Sequence, residues 1–224
     1  MAPIASHIDH TFLRPTTTYA DIKKLCEEAL QYQFAAVCIP PPMVKQAREL
    51  LEGSSVKVAT VIGFPFGYSV AKAKLAETER ALLDGAEELD VVINLVALKG
   101  GVWNYLETEM QPLINLAHGQ NRIVKVIIES GLLTDGEIIH CCTLYAKTGA
   151  DFLKTSTGYA EKGASVEAVR LMREHLPPGI KIKASGGIRT YDFARQLLDA
   201  GAERLGCSAG VEIIRGAEAA ANTY

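Results

Sequence analysis

Four residues of this chain could do unusual chemistry if they meet: Asp90, Lys125, Lys154 and Lys183. A free lysine is neutral in only about one part in 2,500 at pH 7 and is a poor nucleophile. A second ammonium nearby, together with burial, lowers its pKa and leaves an amine able to attack a carbonyl. The iminium ion that follows accepts the electron pair of a breaking carbon–carbon bond. A carboxylate such as Asp90 can then move protons, directly or through water. Paired lysines with an acid thus point to a metal-free Schiff-base lyase, provided the chain brings them together.

What must position them is a repeating arrangement of strands and helices. Apolar β-branched runs occur at 8–13, 35–39, 56–62, 89–93, 123–128, 152–155, 180–185 and 204–207, separated by stretches of helical period. Most are nearly continuous in apolar character, as expected of parallel strands covered by helices. Thr18 and Asp21 form a candidate helix cap, after which Ile22, Leu25, Cys26, Ala29 and Leu30 fall on one helical face. Gly85-Ala86-Glu87, Gly149-Ala150-Asp151 and Gly201-Ala202-Glu203 each stand between a helical stretch and the next strand, so one loop type recurs. Eight such units without a break in composition predict an α/β protein, a single-domain (β/α)8 TIM barrel over residues 1–224. A doubly wound sheet is the alternative, but Arg14-Pro15-Thr16-Thr17 offers no glycine-rich loop after the first strand.

Period-two alternation then assigns faces. Leu89, Val91 and Ile93 oppose Asp90; Val124, Val126 and Ile128 oppose Lys125; Ile180, Ile182 and Ala184 oppose Lys181, Lys183 and Ser185. The sixth run is too short to orient Lys154, which shares a face with Phe152. The economical reading sends Asp90, Lys125, Lys154 and Lys183 inward from four consecutive strands and leaves Lys181 at the inert lower end. Inside a barrel such charges must be paired or partly wet. The last two turns, Ser185-Gly186-Gly187-Ile188-Arg189 and Gly206-Cys207-Ser208-Ala209-Gly210, fall where barrels commonly bind phosphate. Gly186, Gly187, Gly206 and Ser208 are the candidate ligands there.

Composition excludes several function classes. With 48% hydrophobic residues and a net charge of −3, the chain has no general attraction for nucleic acid or anionic membrane. No apolar run approaches the length of a membrane span, and the first ten residues lack a secretory pattern. The five cysteines are scattered without a C-x-x-C pair and read as reduced thiols of a cytoplasmic protein. No cofactor and no metal is expected, since His7 and His10 have no supporting ligand cluster.

Taken together, these stretches resemble the deoxyribose-phosphate aldolase family. The likeness runs from Ile8-Asp9-His10-Thr11 to Ser208 through Ala36-Val37-Cys38-Ile39, Glu88-Leu89-Asp90-Val91-Val92-Ile93-Asn94, Lys125-Val126-Ile127-Ile128-Glu129, Phe152-Leu153-Lys154-Thr155-Ser156-Thr157-Gly158 and Ile182-Lys183-Ala184-Ser185-Gly186-Gly187-Ile188-Arg189. The resemblance implies a class I aldolase that reversibly splits 2-deoxy-D-ribose 5-phosphate into acetaldehyde and D-glyceraldehyde 3-phosphate, in deoxyribose phosphate catabolism. It implies the Schiff base on Lys154, proton transfer by Lys183 and Asp90, and Lys125 as an electrostatic neighbour. Asp9 and Thr11 would contact hydroxyls or hold a lysine, Thr155 would shape the pocket, and Gly158 would join the substrate-binding set. It also implies a homodimer or homotetramer whose partners are sugar phosphates and aldehydes. Three departures stand out: Tyr159 and Ala209 where some relatives have a phosphate-binding lysine and a serine, and a short tail ending in Tyr224, a candidate proton relay. Other readings of the same residues are an aldolase for a ketose or keto-acid phosphate, a phosphosugar isomerase, and a sugar-phosphate-binding regulator.

Overall fold

The computed structural model describes residues 4–221. Its strands are β1 (Ile8–Thr11), β2 (Ala36–Ile39), β3 (Lys57–Ile62), β4 (Glu88–Val92), β5 (Ile123–Ile127), β6 (Phe152–Lys154), β7 (Lys181–Ser185) and β8 (Arg204–Cys207). Each pairs in parallel with the next, and β1 closes on β8 with Asp9 opposite Gly206. The covering helices are α1 (Tyr19–Tyr32), α2 (Val44–Leu50), α3 (Ala71–Leu83), α4 (Leu95–Lys99), α5 (Trp103–His118), α6 (Asp135–Thr148), α7 (Val166–His175), α8 (Tyr191–Asp199) and α9 (Gly210–Ala221). The fold is the (β/α)8 barrel that the sequence predicts. The largest difference is in β1, which ends at Thr11 because Phe12 and Leu13, apolar enough to extend the run, turn out to line a cavity at the mouth.

Local chemistry explains both ends of the helices. The expected cap at Thr18 is a full capping box with Asp21, and Thr134 with Glu137 makes a second. The recurring Gly-Ala-acid mark is a single device. Gly85, Gly149 and Gly201 take positive φ, and the alanine after each donates its N–H back to Ala81, Tyr145 or Leu197. The acid then works on the neighbouring strand: Glu87, Asp151 and Glu203 each accept the first free N–H there, from Val58, Val124 and Ile182. Gln33 and Asn121 hold the same left-handed turn without glycine, with Phe34 and Arg122 donating back to Ala29 and Ala117, but no acid follows either.

Outward-facing strand residues such as Val37, Leu89, Val91 and Val126 pack against the helices and form the main apolar core. Lys74 and Glu109 are buried within this shell as an ion pair at 2.9 Å, and Lys74 also donates to the Val92 carbonyl at 2.7 Å. This fastens α3 and α5 to the end of β4.

The lower-end acids should carry measurable stability. Asp151 accepts from Val124 N–H at 2.8 Å and contacts His118 at 2.9 Å. Asp151→Ala is expected to cost about 1–2 kcal/mol in urea unfolding, because a backbone donor loses its partner. Lys147→Ala, which breaks an exposed pair with Glu107, should cost no more than about 0.5 kcal/mol.

Candidate active site

The barrel interior is divided. On β2 and β3 its lining is small and apolar: Ala36, Cys38, Ala59 and Val61, with Leu13 and Phe64 packed above. On β1 and β4 to β8 it is charged. Asp90 stands at the centre of this half. Its Oδ1 accepts from Lys125 at 2.8 Å, and its Oδ2 accepts from Lys154 at 2.8 Å and Lys183 at 2.6 Å. Beneath it, Lys125 pairs with Glu88 at 2.6 Å, and Arg204 bridges Glu88 at 3.0 Å and Asp9. Asp9 in turn binds Lys183. Asp90, Lys125, Lys154 and Lys183 all point inward, as the economical reading has them, including Lys154, whose direction alternation alone leaves open.

Counting charges shows what this arrangement does. Three carboxylates, Asp9, Glu88 and Asp90, face four cations, Lys125, Lys154, Lys183 and Arg204, with little water to share the excess. One cation is therefore under-compensated, and it is Lys154. Lys183 has both Asp9 and Asp90, and Lys125 has both Glu88 and Asp90, whereas Lys154 has Asp90 alone. Burial and the charge of Lys183 push the Lys154 amine below the ordinary lysine range despite Asp90. Burial opposes the charge on Lys183 too, but Asp9 and Asp90 prevail and hold it well above that range; Asp90 and Glu88 likewise raise Lys125. Against their own burial, Asp9 and Asp90 are held below the usual carboxylate range by these cations.

Above Lys154 opens a cavity of about 430 Å³ at the C-terminal ends of the strands. Thr11, Gly158, Gly186, Gly187, Gly206 and Ser208 all line it. Gly206 has a second reason to be glycine, since a Cβ there would meet the Lys183 side chain at 2.9 Å. α9 starts two residues after Ser208 and turns the positive end of its dipole toward this wall. Arg14 and Arg189 also line the cavity, whose wall carries no carboxylate among the described residues, so it suits an anion. Two expected members lie elsewhere. Lys125 is fully buried under Asp90, and Thr155 is buried behind the wall, accepting from Ser185 N–H at 3.0 Å and donating to the Ser185 carbonyl at 3.3 Å. Thr155 joins β6 to β7 and does not line the cavity. Tyr224 lies outside the described residues.

Some members went unnoticed in the sequence. Glu88 is two residues before Asp90 and so on its face, but it precedes the apolar run, which starts at residue 89. Arg204 opens β8, yet its partner Glu88 is 116 positions away. Glu129 is buried in a left-handed backbone conformation and accepts from the Thr157 N–H at 3.2 Å and from its hydroxyl. This fixes the loop that carries Gly158 and Tyr159. Burial raises its pKa against those bonds. The five cysteines are all buried and free; Cys207 reaches the cavity, with its thiol pushed up to about 12 by burial.

Enzymes of the (β/α)8 fold carry out their chemistry at this end of the barrel, and a lysine amine at the floor of a cationic cavity is equipment for a carbonyl-bearing anion. The architecture is that of a barrel enzyme. The sequence profile described as DeoC/LacD family aldolase matches residues 4–217, and the chain belongs to this family, as an enzyme of the lyase class. It is 51% identical over 212 residues to the deoxyribose-phosphate aldolase of Caldicellulosiruptor saccharolyticus, covering 94% of this chain and 96% of the relative. It is 50% identical over 216 residues to that of Thermococcus gammatolerans, covering 96% of each. The tetrameric deoxyribose phosphate aldolase of Aeropyrum pernix superposes with a TM-score of 0.91 at 34% identity, over 97% of this chain and 92% of that one.

The charge cluster yields a pH-dependent test. Asp9→Asn leaves Lys183 and Arg204 short of a buried partner and should cost about 3–5 kcal/mol at neutral pH. Because the folded-state pKa of Asp9 is depressed, its contribution is present above the ordinary aspartate value of 3.8 and is lost as pH falls through the folded one. The difference between wild type and variant in chemical denaturation should therefore shrink once pH drops below 3.8; a pH-independent difference would exclude the electrostatic account.

Proposed function

We propose that this aldolase reversibly cleaves 2-deoxy-D-ribose 5-phosphate to acetaldehyde and D-glyceraldehyde 3-phosphate through a Schiff base on Lys154, in deoxyribose phosphate catabolism. The observation that carries the reading is the under-compensated amine of Lys154 at the floor of a cavity lined by arginines and glycine loops. The relatives' activity supports the same substrate. Oligomeric association is inferred from the tetrameric relative alone.

The residues divide the work as follows. The neutral Lys154 amine attacks the substrate aldehyde carbon, and loss of water gives the iminium ion. A proton leaves the hydroxyl of the carbinol β to the iminium carbon as the bond between that carbinol and the intervening methylene breaks. The electron pair moves into the iminium, giving an enamine on Lys154 and releasing glyceraldehyde phosphate. Protonation of the enamine carbon and hydrolysis then free acetaldehyde and return the amine. Asp90 is a weak base while three cations hold it, and a stronger one once Lys154 gives up its charge, which suits a proton carrier working directly or through water. Lys183 stays charged, keeps Lys154 depressed and assists these transfers. Arg14, Arg189, Ser208 and the glycine loops would hold the phosphate.

Treating the protein with acetaldehyde and sodium borohydride should fix an ethyl group on Lys154, located by peptide mass mapping. Labelling spread over surface lysines with Lys154 unmodified would remove the covalent reading and leave a phosphosugar isomerase or binding protein in its place. Lys154→Met should abolish both trapping and turnover.

Since the neutral amine is the nucleophile, the initial trapping rate should rise with pH, with a midpoint below the ordinary lysine value of 10.5. Lys183→Met removes a charge that lowers the pKa of Lys154. The midpoint should move up, slowing trapping at neutral pH, and turnover should fall by about 10²–10⁴ through the lost proton transfer. A midpoint that stays in place would show that Lys183 does not tune the nucleophile.

A further inference from the structure

Two of the hollows at the mouth of the barrel adjoin, and the Tyr159 side chain lies over their shared edge. Beside the cationic cavity, above the apolar half of the interior, lies a pocket of about 310 Å³ lined by Pro40, Pro41, Pro42, Met43, Val61 and Phe64. Leu13 and Arg14 line both hollows. Tyr159 reaches across from the loop after β6: its hydroxyl donates to the Leu13 carbonyl at 2.7 Å, and its ring meets Phe64 edge-on at 5.4 Å. Leu13 follows β1 and Phe64 follows β3, so the side chain spans the opening. Its own backbone is held, since Tyr159 N–H donates to Thr157, which Glu129 fixes. Tyr159 is 49% exposed, so its side chain can swing away by giving up one hydrogen bond and one ring contact.

We propose that Tyr159 is the specificity-determining partition of this mouth, and that the proline-lined pocket is a second subsite, for the apolar tail of an unphosphorylated aldehyde acceptor. The assignment rests on the aldol reading above, in which the carbonyl carbon must come to Lys154 and the remainder of the acceptor must leave by one hollow or the other. The two exits differ in chemistry. Arg14 borders both, but the cavity adds Lys154 and Arg189 and, among the described residues, no carboxylate, which suits phosphate. The other wall is mainly proline, methionine and phenylalanine and includes Glu77, whose charge opposes phosphate. With Tyr159 tied down, the phosphate exit is the open one. With Tyr159 displaced, an alkyl or aryl tail can cross above Leu13 into the apolar pocket.

The experiment compares two acceptors, propanal and 3-phenylpropanal, with acetaldehyde as donor, as the ratio of their kcat/KM values within each protein. Tyr159→Phe loses the Leu13 tether and keeps the ring, and should raise the ratio for phenylpropanal about threefold. Tyr159→Ala removes the partition and should raise it about tenfold, mostly through KM. Adding Met43→Trp to Tyr159→Ala fills the half-buried far wall and should return the ratio to the parent value. A ratio unchanged in both Tyr159 variants overturns the partition. A rise that Met43→Trp leaves untouched puts the tail elsewhere and overturns the subsite. Because the ratio reports acceptor binding and borohydride trapping reports the covalent step, these failures are distinct from failure of the Lys154 assignment.

Discussion

Everything at this site depends on one carboxylate being shared. Asp90 receives three lysines from three neighbouring strands, Lys125 on one oxygen and Lys154 and Lys183 on the other. Three ammonium groups so close would repel strongly in a medium that screens poorly, and each would be costly to bury alone. Asp90 makes their convergence possible, and Asp9, Glu88 and Arg204 complete the balance beneath it. The balance is deliberately incomplete at the top, where Lys154 meets the cavity. Lys154 and Lys183 donate to the same oxygen, yet their pKa values move in opposite directions, and the structural difference is that Lys183 also has Asp9.

The rest of the barrel can be understood as support for that cluster. A closed sheet gives each inward charge a neighbour on both sides, which an open sheet would deny to its edge strands. The helices are kept outside by an apolar shell, which supplies the burial that drives folding, while the charged interior must be kept paired. Fixed points such as the Lys74–Glu109 pair on the Val92 carbonyl tie the end of β4, and with it Asp90, to the helical layer. The Gly-Ala-acid loops hold the strands at the other end. One end of the barrel thus carries repeated structural devices and the other carries the chemistry, as is general for this fold.

How much of this was legible in the sequence follows from the range of each interaction. The strands were readable because parallel, two-side-covered strands are written as continuous apolar runs, and the inward charges of β4, β5 and β7 because they interrupt those runs with period two. Lys154 was not orientable because a three-residue strand with Phe152 and Lys154 on one face has no contrasting face to read. Thr155 was misplaced for a related reason: adjacency to a lysine says nothing of the next residue, which on a strand points the other way, here into hydrogen bonds with Ser185. Glu88 and Arg204 meet across the interior, from β4 and β8, once β1 has closed on β8, which no local pattern contains. The acids of the repeated loops could be found as punctuation, but their carboxylates act on a neighbouring strand, and that is visible only in three dimensions.

The two halves of the interior also constrain one another. Small residues on β2 and β3 leave room on the side facing Asp90, and Cys38 approaches its Oδ2 at 3.9 Å without competing for charge. A cation there would add to the surplus already present, and a carboxylate would cancel it and compensate Lys154. Either change would remove the one feature that separates Lys154 from its neighbours. An apolar wall opposite the lysines is therefore a requirement of the electrostatics as well as of packing. It follows that the hollow above that wall is mainly apolar, because Val61, Leu13 and Phe64 belong to both, with Arg14 and Glu77 as its charged members. The mouth is thus cationic on one side and apolar on the other as a consequence of keeping a single amine uncompensated within the barrel.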